Sequence, residues 1–276
     1  MQRNIHMRLF LLVVLAAVVG SSGCNKLRAR DKLNKGVQAF KGAQFDVAIE
    51  DFKQAKELDP KLMNARLYLA TAYASQYIPG APSQENINMG DQAIQEYKNV
   101  LSVDPDNLSA IDGLGSLYFN MGGTPFNEQM LDESKGYHEK HIELKPDDSA
   151  PYYWIGVIDW TLAFRGNREL RADFNKDARK PVKDTDPLPA SLVPQFQQKY
   201  GTVVDEGITN LKKAIELRPD YDDAMAYLNL LYRQKADMET SVDARNADLQ
   251  MADDLVEKVK AIKQKKMEGG GGAPAS

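Results

Sequence analysis

Four short segments, Leu58-Asp59-Pro60, Val103-Asp104-Pro105, Leu144-Lys145-Pro146 and Leu217-Arg218-Pro219, place the same ending on four stretches of helical periodicity. Proline has no N–H to donate and its ring clashes with the preceding turn, so each segment marks where a helix must stop. After Pro60, Pro105 and Pro219 an alanine follows five residues later, at Ala65, Ala110 and Ala224, and opens a new periodic run. A chain punctuated in this way reuses one helical unit, and each unit buries its apolar face against its neighbours.

The residues between these stops carry a finer pattern. Upstream of Pro60, the positions Gly36, Phe45, Ala48, Phe52 and Ala55 set small residues beside aromatic ones. Small residues are needed where two helices cross closely, and large ones fill the holes between neighbours. Leu69-Ala70 with Tyr73, Leu114-Gly115 with Tyr118, and Leu228-Asn229 with Tyr232 repeat a first-helix signature; Ile155-Gly156 has Asp159 where the others have tyrosine. In the second helices Ala93, Tyr97 and Val100, then Gly207, Leu211 and Ala214, fit the same scheme, whereas Ser134, His138 and His141 depart from it. This pattern resembles the tetratricopeptide repeat (TPR) family, from about Asp31 to Lys266.

The resemblance implies an all-α fold, a right-handed α-solenoid of about five helix-turn-helix TPR units. The units fall at about 29–62, 63–107, 108–148, 149–221 and 222–266 within a solenoid spanning 24–268. The stop prolines are 45, 41 and 73 residues apart, which against a 34-residue period implies insertions of 11, 7 and 39 residues in units 2, 3 and 4. Each insertion is expected between the two helices of its unit. The segment 165–200 is the largest, and Pro181, Pro187, Pro189 and Pro194 argue against one long helix through it. The last unit reads as a cap, with Asp243, Arg245, Asp248, Asp253, Asp254 and Glu257 keeping one face wet, and the Gly-rich stretch 269–276 is expected to be disordered.

At the other end, Arg3 and Arg8 precede an apolar run from Leu9 to Gly20, then Ser21, Ser22 and Gly23 lead to Cys24. That run is shorter than the roughly 20 apolar residues of a bilayer-spanning helix, and the order of charged, apolar and small residues is that of a signal peptide over 1–23. Ser21-Ser22-Gly23-Cys24 resembles a bacterial lipobox, with Ser21 where leucine is usual. The expectation is a lipidated Cys24 that anchors an exported chain in the bacterial envelope, with Asn25 after it pointing to the outer membrane and a periplasmic orientation. The alternative is an ordinary cleavage after Ser22 or Gly23 and a soluble periplasmic or secreted protein. Cys24 is the only cysteine, so no intramolecular disulfide can form. Without residues 1–23 the chain has 33 basic and 39 acidic residues, which argues against nucleic acid as a partner.

Where function would reside follows from the same periodicity. In TPR proteins the first helices line the concave surface, and the stripes there read Leu33, Val37, Phe40; Leu67, Thr71, Ala74; Asp112, Ser116, Phe119; Tyr153, Val157, Trp160; and Ala226, Leu230, Arg233. A groove centred on Val37, Phe40, Thr71, Asp112, Phe119, Tyr153, Trp160 and Arg233 suits a protein or peptide partner with apolar anchors, Tyr153 and Trp160 being the expected hot spots. The competing expectation is that these side chains are core. Leu33 and Val37 stand where TPR co-chaperones place the lysine and asparagine of a carboxylate clamp, which disfavours that activity. The insertion contributes a basic stretch, Arg165, Arg168, Arg171, Arg179 and Lys180 among it, as a candidate patch for an acidic partner. His138 and His141 share a helical face, but packing roles outweigh a metal site, and no cofactor or metal is expected. The sequence therefore favours a non-enzymatic interaction scaffold of the cell envelope. The alternative is a ligand-binding or enzymatic module with a pocket closed by the 165–200 insertion.

Overall fold

A computed structural model describes residues 24–270, with side chains through Glu268, so the expected signal peptide lies outside the described residues. Ten α-helices and no strand are present among the described residues. The first, α1, runs through 24–41. It is followed by α2 (Phe45–Leu58), α3 (Met63–Gln76), α4 (Gln84–Leu101), α5 (Leu108–Gly123), α6 (Glu128–Leu144), α7 (Ser149–Asp177), α8 (Val193–Leu217), α9 (Asp222–Ala236) and α10 (Val242–Gly270). None of the described helices is long and apolar enough to cross a membrane.

The four proline stops build one local geometry four times. The residue before each proline still donates its N–H to the carbonyl four residues back: Asp59 to Ala55, Asp104 to Val100, Lys145 to His141 and Arg218 to Ala214, all at 2.8–3.0 Å. The proline cannot continue that ladder. The chain turns instead, and the residue two beyond each proline, Leu62, Asn107, Asp148 or Tyr221, donates back to the carbonyl of the pre-proline residue at 2.9–3.2 Å. That same residue is the N-cap of the next helix. Asn107 and Asp148 add a side-chain cap, accepting from the N–H groups of Ala110 and Ala150. Helix spacing in the fold is thus fixed by turns that involve no distant contact.

The chain divides into two compact units, one ending at Asn127 and the other beginning at Glu128. This division falls between α5 and α6, inside the third expected repeat. In the first unit α2 packs on α3, α3 on α4, and α5 on both α4 and α3. Its core holds Phe52, Leu69, Ile111 and Leu114 among a run of buried alanines. Close crossing is enforced by glycine: a Cβ on Gly36 would stand 2.5 Å from the Phe52 ring. In the second unit α7 packs on α6, α8 and α9, and α9 on α10, around Ile155, Ile158, Phe196, Leu211 and Leu231. A Cβ on Gly156 would collide with Leu211, and one on Gly166 with the ring of Tyr200.

The insertion in the fourth unit departs from expectation. Most of 165–200 is helix: α7 continues to Asp177 and α8 begins at Val193, leaving only 178–192 irregular. Pro194 does not oppose α8, because it sits in the first turn, where the missing N–H has no partner to lose. The two helices are long because Leu162, Ala163, Val193, Phe196 and Tyr200 continue the apolar seam between them. At the C-terminus α10 reaches Gly270, two residues into the stretch expected to be disordered; residues 271–276 lie outside the described ones.

Candidate partner-binding site

The expected groove residues lie in both units. In the first, Val37 and Phe40 are half-buried, and Phe40 meets Phe45 edge-on at 5.4 Å. Thr71 is tied down, donating to the Leu67 carbonyl and meeting the Tyr97 hydroxyl at 3.1 Å. Asp112 and Phe119 are half-buried too. In the second unit Tyr153 and Trp160 belong to one aromatic cluster on α7 and α9. Tyr153 stacks on Tyr221 at 5.0 Å, and Tyr227 bridges Tyr153 and Trp160 at 5.8 and 5.3 Å. Burial, with Tyr227, Tyr221 and Asp223 alongside, pushes the Tyr153 hydroxyl well above its ordinary pKa. Val157, a member of the same stripe, is 2% exposed and belongs to the core. Phe119, Tyr153 and Trp160 keep part of their surface, so none of the three is purely core filling.

Trp160 and Arg233 come together at a cleft of about 330 Å³. One wall is Trp160 stacked on Phe164, ring centroids 5.0 Å apart. The opposite side is contributed by Leu230, Arg233 and Gln234 of α9 and by Arg245 and Leu249 of α10, and residues 184–186 of the insertion stand at its edge. Arg233 is held on the rim by Asn229 and by Asp253 at 2.6 Å.

The insertion is fastened beside this cleft by a buried ion pair. Arg171, expected in an exposed basic patch, is only 3% exposed. Its guanidinium bonds Asp237 at 2.7 Å, the Asn167 side chain at 2.6 Å and the Lys183 carbonyl at 3.0 Å. Asp237 also accepts from Asn167 and from the Leu188 N–H. Asn175 clamps both the N–H and the carbonyl of Val182. The remaining basic residues of the expected patch are exposed. Arg165 pairs with Glu169 at 2.8 Å and Arg168 lies 4.0 Å from Asp184, while Arg179 and Lys180 are exposed in the irregular segment.

A second polar centre lies in the core of the same unit. Asp159, fully buried, receives Lys135 at 2.9 Å, and Lys135 also reaches Glu206 at 2.8 Å. Burial pushes the Asp159 carboxyl up to about 7 against the pull of Lys135. Burial also works against the charge on Lys135, but Asp159 and Glu206 together outweigh it and hold the lysine above its ordinary value. His138 stacks on Trp154 at 6.0 Å, and burial, with His141 next to it, lowers its pKa to about 4. No group of three or more histidine, cysteine, aspartate or glutamate side chains is placed to hold a metal among the described residues.

Phe164, Tyr227, Gln234, Asp237 and Arg245 were not among the expected site residues. Phe164 had a readable signal, since it follows Trp160 by four residues on the same helical face. Arg245 reads in the sequence as part of the wet face of the cap, and nothing local in the sequence brings Asp237 to Arg171.

These helix pairs, their close small-residue crossings and their repeated proline turns define the helix-pair solenoid fold of the tetratricopeptide-repeat proteins. Solved structures share it. The MamA protein aligns over 90% of this chain and 98% of its own, at 16% identity and a TM-score of 0.58. MamA from Desulfovibrio magneticus RS-1 aligns over 86% of this chain and 96% of its own, at 14% identity and a TM-score of 0.55. YrrB, described as a TPR protein with an unusual peptide-binding site, aligns over 86% of this chain and 90% of its own, at 14% identity and a TM-score of 0.50. No protein-family model matches the sequence, and no curated protein does.

Proposed function

We propose that this chain is an interaction scaffold that binds a protein or peptide partner and catalyses no reaction. The observation that carries this reading is the aromatic stripe Tyr153, Trp160 and Phe164, half-buried along α7 and opening at Trp160 into a cleft. Aromatic side chains that keep one face accessible are the groups that dominate interface energetics. The peptide-binding site named for YrrB supports the kind of partner.

The finer reading places the scaffold in the bacterial envelope, exported and anchored through a lipid on Cys24, at the outer membrane facing the periplasm. Cys24 is exposed at the start of the described chain, where an anchor would leave the helices free. The test is crosslinking and pull-down from envelope membranes with wild type and a Trp160→Ala/Arg233→Ala variant, folding being checked by circular dichroism. A specific protein captured by wild type and lost from the variant supports the reading. Equal capture by both removes the cleft from it. Cys24→Ser is expected to move the protein from the detergent phase to the aqueous phase on phase partitioning, and an unchanged partition would refute the anchor.

A second reading has one observation in its favour: the insertion borders the cleft, so a small ligand could occupy it. It predicts capture of no protein and quenching of Trp160 emission by that ligand.

A further inference from the structure

The cleft at Trp160 has one wall that is apolar and another that holds an arginine without a side-chain partner among the described residues. Arg245 lines it from α10, and its guanidinium makes no ion pair or hydrogen bond with another described side chain. Its Nε is buried and without a partner, and so is Oε1 of Gln234, which lines the same cleft from α9. A buried donor left unpaired is costly, and an arginine fork matches a carboxylate in both geometry and charge.

The carboxylates at the rim are engaged elsewhere. Asp237 is taken by Arg171, Asn167 and the Leu188 N–H. Asp186 accepts from the Lys183 N–H, and Asp184 is exposed and leans toward Arg168. Arg233, the other cation of the cleft, is already paired with Asp253. Arg245 therefore stands as the cation available to a ligand. Its walls are also held in place before anything binds, because the Arg171–Asp237 pair ties the insertion to the end of α9.

We infer that this cleft binds a two-residue element of a partner peptide, an aromatic or large aliphatic side chain laid on Trp160 and Phe164 beside an aspartate or glutamate whose carboxylate pairs with Arg245. The inference rests on the reading that the chain binds proteins or peptides, and it adds which chemistry is recognised and where. A volume of about 330 Å³ accommodates one or two side chains, not a folded domain, so the rest of the partner must lie outside it.

The experiment is selection of random twelve-residue peptides displayed against the full-length chain in detergent. Affinities of synthetic winners follow by fluorescence anisotropy for wild type, Arg245→Gln, Arg245→Lys and Trp160→Leu. The expected winners carry an acidic residue next to an aromatic or large aliphatic one. Replacing that acid by its amide, or Arg245 by Gln, should weaken binding at least tenfold, while Arg245→Lys retains part of it. Trp160→Leu should also weaken binding at least tenfold, with the helical circular dichroism unchanged. Winners that bind Arg245→Gln and Trp160→Leu as tightly as wild type would overturn this inference while leaving peptide binding intact. Selection that enriches nothing would overturn both. Tight binding of 3-phenylpropanoate alone, matching the peptides, would overturn the peptide assignment in favour of a small aromatic acid.

Discussion

Three helix junctions are built alike and a fourth is not. Lys53 lies over the Tyr73 ring, Lys98 over Tyr118 and Lys212 over Tyr232, each with Nζ 5.6–5.8 Å from the centroid. In each case the ammonium of a lysine on one helix lies over the signature tyrosine of the next. At the equivalent place on α7 the chain has Asp159, and Glu139 occupies the position that the lysines hold elsewhere. Lys135, one turn earlier, supplies the missing cation from within the core. At Lys98 and Lys212 the lysine is exposed, so this junction should tolerate loss of its charge. The substituted junction buries the Asp159 carboxyl against a part-buried Lys135, shares that lysine between Asp159 and Glu206, and so makes the second unit sensitive to both mutation and pH.

The sharpest way to break this contrast is Lys135→Met. It strands Asp159 in the core and should destabilise the second unit by about 3 kcal/mol. Both tryptophans, Trp154 and Trp160, lie in that unit, so the midpoint of urea unfolding followed by tryptophan emission reports it directly. Arg171→Met tests another buried charge of the unit and should cost about 3 kcal/mol by the same mechanism. Its readout is local: trypsin should cut after Arg179 about tenfold faster once the insertion is released, the Lys180–Pro181 bond being resistant.

A smaller effect is expected from pH. Asp159 is raised from 3.8 to about 7, so between these values the folded state holds the extra proton, and this group's contribution to stability falls as pH rises through the window. His138 is lowered from 6.5 to about 4, so the unfolded state holds the extra proton there, and its contribution is lost as pH falls from 6.5 through 4. In the wild type the two slopes oppose one another. Asp159→Asn should leave a unit that weakens on acidification from pH 6.5 to 4. His138→Phe should leave one that gains stability as pH falls from 7 toward 4.5. The two variants are expected to show pH profiles of opposite slope over that range. Parallel pH profiles for the two would show that the buried polar centre does not titrate.

The smallest effect is reserved for the regular junction. Lys98→Met should shift stability by about 0.5 kcal/mol, since an exposed cation over a ring contributes little and the methionine stem still covers Tyr118. A loss comparable to that of Lys135→Met would erase the distinction between the two kinds of junction.

The departures from the repeat pattern at Ser134, His138, His141 and Asp159 belong to one region. Their polar character was legible, but their grouping was not, because Lys135 gave no sign that it would turn inward. Arg171, alone among the basic residues of the expected patch, is buried for a related reason. A charged residue is solvated unless a partner is buried with it, and the partner of Arg171 is Asp237, 66 residues further on. Proline breaks a helix only in its interior, and Pro194 lies in the first turn, where a helix tolerates it.

By itself the sequence determined the helix stops, the turns after them, the caps and the small-residue crossings. Each depends on backbone hydrogen bonds within a few residues or on side-chain volume at a helical face, and both are written locally. The tertiary structure alone decided which charges are buried and how the aromatic residues of α7 meet α9. It also decided that a cleft opens where Trp160, Gln234 and Arg245 converge. Those outcomes depend on groups far apart in the chain, whose cost or benefit exists only once water has been removed from between them.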